Sequence, residues 1–184
     1  MLKRIIQVIT FFLLIFIHIG FLTVFLVEKF NEIWVLLGVI IASAIITYAY
    51  YHISPDKEDF FLADLQDVFY IGIGAVITYF LSVDMELGPV IAAAACGTVA
   101  SFIPDLFSAS KNMEKIPTRV YCGAFIGMTA PQVAYGYGFI LFASLLAGVL
   151  FIGTKNYLNG FGGKLGTIAF GGVAVTSFLI YLFF

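Results

Sequence analysis

Residues 119–138 read RVYCGAFIGMTAPQVAYGYG. The reading of this stretch decides how often the chain crosses a membrane and on which side it ends. It is long enough for one crossing, which takes roughly 17–25 mostly apolar residues. It is poor in bulk, because its large apolar side chains are few: Val120, Phe125, Ile126, Met128 and Val133. Gly123 and Gly127 stand four apart in a GxxxG arrangement, with Pro131 one step further on. A small-residue stripe lets helix backbones approach closely. Pro131, placed inside a helix, cannot donate to the carbonyl four residues back, that of Gly127. In lipid such an open carbonyl needs a neighbour or a water, and Thr129 and Gln132 are polar side chains at the break. The stretch is therefore expected to be enclosed by other helices rather than bathed in lipid.

The segment before it shares the low bulk. Residues 88–105 read GPVIAAAACGTVASFIPD, and Ala93, Gly97 and Ser101 recur every four residues on one helical face. Thr98 and Ser101 add hydroxyls there. Small or polar residues bring no advantage toward lipid, so these two segments are the expected seat of helix contacts or of a polar pathway.

The surrounding chain is strongly apolar. Of 184 residues, 62% are hydrophobic and 11% charged, and the mean hydropathy is +1.08. Soluble domains carry about 25% charged residues. The composition therefore points to a single integral membrane domain over residues 1–184. The net charge of −2 argues against a nucleic-acid partner. Lys3 and Arg4 precede an apolar run that continues to Val27, too long for a signal-peptide core and without a small-x-small cleavage site, so it reads as a first span.

Seven apolar stretches are candidate spans, at about 4–27, 33–52, 67–83, 88–107, 119–134, 137–154 and 165–184. With the N-terminus in the cytoplasm, the inner side holds Lys3, Arg4, Lys57, Lys111, Lys115, Arg119, Lys155 and Lys164, and the outer side only Lys29. Eight of the nine cations on one side is the positive-inside pattern. If residues 119–134 dipped in and returned, Lys155 and Lys164 would move outside and the split would fall to six against three. The expected fold is thus an all-α polytopic bundle of about seven spans, with the C-terminus outside. Ser54-Pro55-Asp56 followed by Glu58 is a helix-start pattern and predicts a short cytoplasmic interfacial helix over about 54–66.

Two echoes suggest internal symmetry. Cys96-Gly97 precedes Pro104-Asp105 much as Cys122-Gly123 precedes Pro131-Gln132, and LGPVIAAAACGTVASF (87–102) resembles LGTIAFGGVAVTSF (165–178). Spans 2–4 and 5–7 would then form a 3+3 inverted repeat after span one, an arrangement found in transporters with interrupted helices.

Few side chains carry chemistry. His18 lies near the middle of span one, and an ionisable residue at that depth is a functional candidate; a neutral His bonded across a helix interface is the plain alternative. Asp67 and Asp105 stand at cytoplasmic span ends, where they could line a cation-attracting mouth or be solvated loop charges. Asp105 faces the negative end of its helix dipole, and Arg119 or Lys111 is the expected counter-charge. The glycine-rich run Asn159–Gly166 is no phosphate loop, because Leu165 follows Lys164 where Ser or Thr is required, so Lys164 belongs to a turn, a gate or an anion contact. Cys96 and Cys122 match no metal or disulfide spacing and read as buried thiols. With no HExxH, no GxSxG and no acidic pair inside the bilayer, the expectation is no enzyme, no metal and no cofactor.

Two functions remain. One is a small transporter or channel for an ion or small solute, its pathway along spans four and five: Gly97, Thr98, Ser101, Gly123, Gly127, Thr129, Pro131 and Gln132. The other is a non-transporting membrane subunit (a sensor, anchor or assembly partner) that uses small-residue faces to form a homo-oligomer or to join a partner membrane protein. The expected location is a bacterial inner (plasma) membrane.

Overall fold

The computed structural model describes residues 2–29, 32–51, 65–106, 113–155 and 163–183. The predicted interfacial helix over 54–66, with Lys57, lies outside them except for its last two positions, as do Lys111 and residues 159–162. The described chain is all-helical and contains no strand. Three helical segments, Leu65–Asp84, Pro89–Leu106 and Lys164–Phe183, are long and apolar enough to cross a membrane, at 20, 18 and 20 residues.

In chain order the helices are α1 (Leu2–Glu28), α2 (Ile33–Tyr51), α3 (Leu65–Tyr79), α4 (Pro89–Ser101), the short turn α5 (Ile103–Leu106), α6 (Ile116–Gly127), the short turn α7 (Pro131–Ala134), α8 (Tyr137–Gly153) and α9 (Lys164–Phe183). α1 and α2 are peripheral. Val39 is the one buried side chain among those described in α2. Their hydroxyls close onto their own backbone, Thr23 Oγ1 on Ile19 O at 2.7 Å and Ser43 Oγ on Val39 O at 2.7 Å. A membrane helix must satisfy its polar groups internally in this way.

The core is built on α3, α6 and α8, flanked by α4 and α9. α3 buries Asp67, Ile71, Gly74, Ala75, Thr78 and Tyr79, which lie three or four apart along one face. At Phe80 the helix widens into a π turn that ends at Asp84, with Met85 N–H bonded to Phe80 O at 3.0 Å. Glu86 (φ 54°) and Gly88 (φ 79°) then reverse the chain, and Pro89 opens α4 in the first turn, where its missing N–H removes no helix bond.

Glycine positions give the helix directions. A Cβ on Gly74 would be driven into the Val120 carbonyl, one on Gly123 into the Ile71 carbonyl, and one on Gly127 would lie 2.5 Å from Ala75 O and 2.7 Å from Thr78 Cβ. Higher numbers on α3 meet higher numbers on α6, so these two helices run parallel. α8 runs antiparallel to α3, since Gly148 abuts Val68 whereas Tyr137 stacks edge-on against Tyr79 at 5.2 Å. α9 runs antiparallel to α8, since Gly171 meets Leu150, Gly172 meets Ala147 and Ala143, and Phe183 lines a groove with Gly138.

The inverted repeat would make α2 the counterpart of α6. α6 is the most enclosed helix of the core, whereas α2 touches chiefly α1. The two positions therefore differ in environment.

Candidate functional site

α6 buries eight of its twelve residues, because three neighbours close on it from different sides. Gly123 and Gly127 meet the α3 backbone. Ile116, Val120 and Ala124 pack with Ala93, Cys96 and Ala100 of α4. Cys122 and Ile126 join the cluster that holds Ile71 of α3, Ile140 and Ala143 of α8, and Ile168 of α9. Tertiary enclosure is thus what the low bulk of this segment serves, as its composition leads one to expect. The partner of the Gly123/Gly127 stripe is α3, however, and not the low-bulk α4.

An ion pair ties the same two helices near their N-terminal ends. Asp67 Oδ1 lies 2.5 Å from Arg119 Nη2, without hydrogen-bond alignment. Both side chains are buried, at 2% and 10% exposure. The guanidinium carbon stands 6.0 Å from the centre of the Tyr70 ring, at the outer limit of a cation–π contact. The geometry has an electrostatic logic. Parallel α3 and α6 bring two positive helix ends together, and a cation in the first turn of α6 adds to them. Asp67, in the first turn of α3, places one negative charge among them. Asp67 is therefore not part of a solvated mouth. Arg119, expected as one of two counter-charges for Asp105, is held by Asp67 instead. Asp105 is exposed and makes no ion pair among the described residues.

α6 also ends earlier than expected. The predicted span ran over 119–134, but the helix begins at Ile116 and stops at Gly127. Met128 N–H closes on Ala124 O at 3.2 Å, and Thr129 Oγ1 and N–H both donate to Ile126 O, at 2.6 and 3.0 Å. Ala130 is extended and Pro131 sits in the first turn of α7. Pro131 therefore starts a helix rather than interrupting one, and it leaves no bond missing inside α6. Gln132 is exposed on α7. Tyr135 (φ 51°) and Gly136 (φ 127°) turn the chain into α8. The end of α6 lies beside the place where α3 changes to π geometry, because Gly127 abuts Thr78 and Tyr79. Thr78 is fully buried, and its hydroxyl has no hydrogen-bond partner among the described residues.

The space between α4 and α6 is filled by apolar side chains, and at Gly97 by the Tyr121 ring, which leaves no room for a Cβ. Thr98 and Ser101 point away from α6 and are exposed, with Ser101 Oγ bonded to Thr98 O at 2.7 Å. The eight residues assigned to one pathway thus fall into three places. Gly97, Gly123 and Gly127 are packing contacts; Thr98 and Ser101 lie on the outer face of α4; Thr129, Pro131 and Gln132 form the end of α6 and the start of α7. Grooves open elsewhere. One of about 600 Å³ runs between α3 and α8, lined by Val68, Gly72, Val76, Leu141 and Ser144 among others.

His18 binds Thr167 Oγ1 through Nε2 at 3.1 Å, linking α1 to α9 beside a pocket of about 280 Å³. That hydrogen bond crosses a helix interface. Lys164 Nζ reaches Lys155 O at 3.4 Å, linking the start of α9 to the residues that follow α8. Cys96 Sγ approaches Gly74 O at 3.9 Å and Cys122 Sγ approaches Leu165 O at 3.7 Å, so both thiols are buried between helices. No metal-holding cluster occurs among the described residues.

Two features escaped the sequence reading. The Asp67–Arg119 pair had a signal: both residues open predicted spans on the same side of the membrane. The bond from Tyr137 Oη to the Asp84 carboxylate, which ties α8 to the end of the π turn, had none. No protein-family model, no curated protein and no solved structure matches this chain.

Proposed function

We propose that this chain is a seven-span integral membrane protein, N-terminus in the cytoplasm, that acts as a non-transporting subunit assembling through α4. One observation carries the reading. The helix with the greatest run of small residues spends only part of them on its own bundle. Ala92, Ala93, Cys96, Gly97 and Ala100 are buried, whereas Ala94, Thr98 and Ser101 form an exposed stripe at steps of four and three. Val90, Ile91 and Phe102, exposed at 68%, 62% and 55%, rim that stripe. A shallow small-residue groove with bulky rims suits another helix better than lipid chains. The filled space between α4 and α6 favours this reading over a conduit along those helices.

The proposed occupant is the α4 of a second copy. The test is disulfide trapping in native membranes, with Cys96 and Cys122 replaced by Ala and Thr98→Cys or Ser101→Cys as the sole thiol. A cross-linked dimer from the α4 variants, and none from Ile45→Cys on α2, is expected. A monomer that co-purifies with a different protein in mild detergent would assign the face to that protein.

A second reading, a small-solute or ion transporter, is favoured by a different observation. α3 and α6 lose regular α geometry side by side, with the buried Thr78 hydroxyl, which has no hydrogen-bond partner among the described residues, between them. Interrupted neighbouring helices are where carriers place ion and substrate contacts. Flux into proteoliposomes that is lost in Thr78→Val would support it; absence of flux across cation, anion and neutral-solute classes would remove it.

A further inference from the structure

We infer that residues 116–134 enter the membrane only by docking on α3, so that the α3–α6 contact sets the orientation of everything that follows. The inference rests on the seven-span reading. Three segments qualify as spans on length and composition, and three more are shorter apolar helices, Ile15–Val24, Ile33–Tyr48 and Tyr137–Gly153. α6 belongs to neither group. Its twelve residues rise only about 18 Å against a hydrocarbon core of about 30 Å. It carries Arg119, and its apolar surface is reduced by Gly123, Ala124 and Gly127. As an isolated helix it has little reason to leave water.

α3 removes both obstacles. Asp67 supplies the buried counter-charge for Arg119 at the end by which α6 enters. Gly74, Gly123 and Gly127 bring the two backbones together, replacing lipid contact with helix contact. α3 precedes α6 in the chain and is itself apolar enough to insert, so the template is present before the dependent segment is made. The positive-inside pattern acts in the same direction, but it cannot by itself place a segment that lipid does not favour.

The two deciding substitutions lie on α3. Reporter cysteines go, one at a time, at the exposed positions Glu86, Glu114 and Tyr135 in a chain whose Cys96 and Cys122 are Ala. Newly made full-length chains are labelled with a membrane-impermeant maleimide from either side. In this parent, Glu114→Cys is expected to label from the cytoplasm, and Glu86→Cys and Tyr135→Cys from outside. Asp67→Ala and Gly74→Leu both raise the hydropathy of α3 and leave residues 116–134 unchanged. In each, most chains are expected to move Tyr135→Cys to the cytoplasmic side while Glu86→Cys stays outside. Adding Arg119→Ala to Asp67→Ala is expected to bring Tyr135→Cys back outside. Because labelling follows insertion within minutes of synthesis, a variant that later unfolds is still read. Tyr135→Cys remaining outside in both α3 variants would overturn the inference and leave seven spans standing. Glu114→Cys and Tyr135→Cys labelling from the same side in the parent would instead remove the seven-span reading, and the inference with it.

Discussion

α4 and α6 look alike as sequence and differ as structure. Both are short of bulk, both carry a glycine next to a cysteine, and both lead toward a proline. α6 buries eight of twelve residues, whereas α4 buries five of thirteen. The reason is position. α6 has α3, α4 and the α8–α9 pair around it, so Cys122, Gly123, Ala124 and Gly127 all serve internal contacts. α4 has the bundle on one side only, and its remaining small residues face outward. A low-bulk helix therefore reports that something approaches closely, and the number of its neighbours determines whether that something belongs to the same chain.

The largest effect is expected at Gly123. A side chain there meets the α3 backbone, which cannot swing aside. Gly123→Leu is expected to cost on the order of 4 kcal/mol or more, read as loss of the cooperative unfolding transition in detergent. Asp67→Asn comes next. Leaving Arg119 buried without its anion is expected to cost about 3–5 kcal/mol, and the double variant Asp67→Leu/Arg119→Met should recover most of that loss. A double-mutant cycle on detergent unfolding checks both.

Gly97→Ala should be milder, although its Cβ would also collide. The obstacle is the ring of Tyr121, 41% exposed and able to turn away. A cost of about 1–2 kcal/mol is expected, largely abolished in a Tyr121→Ala background. The smallest effect on stability belongs to the outer face of α4. Ala94→Leu should change the stability of the single chain by no more than about 0.5 kcal/mol. The same substitution is expected to reduce trapping of the α4–α4 dimer severalfold. A large stability loss at Ala94 would mean that this face is covered within one chain, and the contrast between the two helices would vanish.

Much of the site could be read from residue types. Glycines four apart predicted close approach, and Gly123 and Gly127 do approach another backbone. The scarcity of Phe and Leu in 119–134 predicted enclosure, and α6 is enclosed. What residue types could not carry was the identity of the partner. A missing Cβ makes room for any backbone, so Gly123 and Gly127 were compatible with α4, α3 or a second copy. Pro131 was ambiguous for a similar reason. A proline is tolerated in the first turn of a helix and disruptive inside one, and only the extended backbone of Ala130 shows which applies. Asp67 and Asp105 looked equivalent as acids at span ends. Burial against Arg119 separates them, and burial is a property of the packed bundle.

The sequence by itself determined that this chain is helical, apolar and built for close helix contact, because those properties follow from side-chain size, charge and local backbone preference. The tertiary structure alone decided that α3 rather than α4 receives the α6 glycines, that α3 and α6 run parallel with Asp67 and Arg119 at their shared end, and that α4 keeps a small-residue face to spare. Those outcomes depend on which surfaces fit together across 46 to 52 residues of chain, and no local pattern encodes that fit.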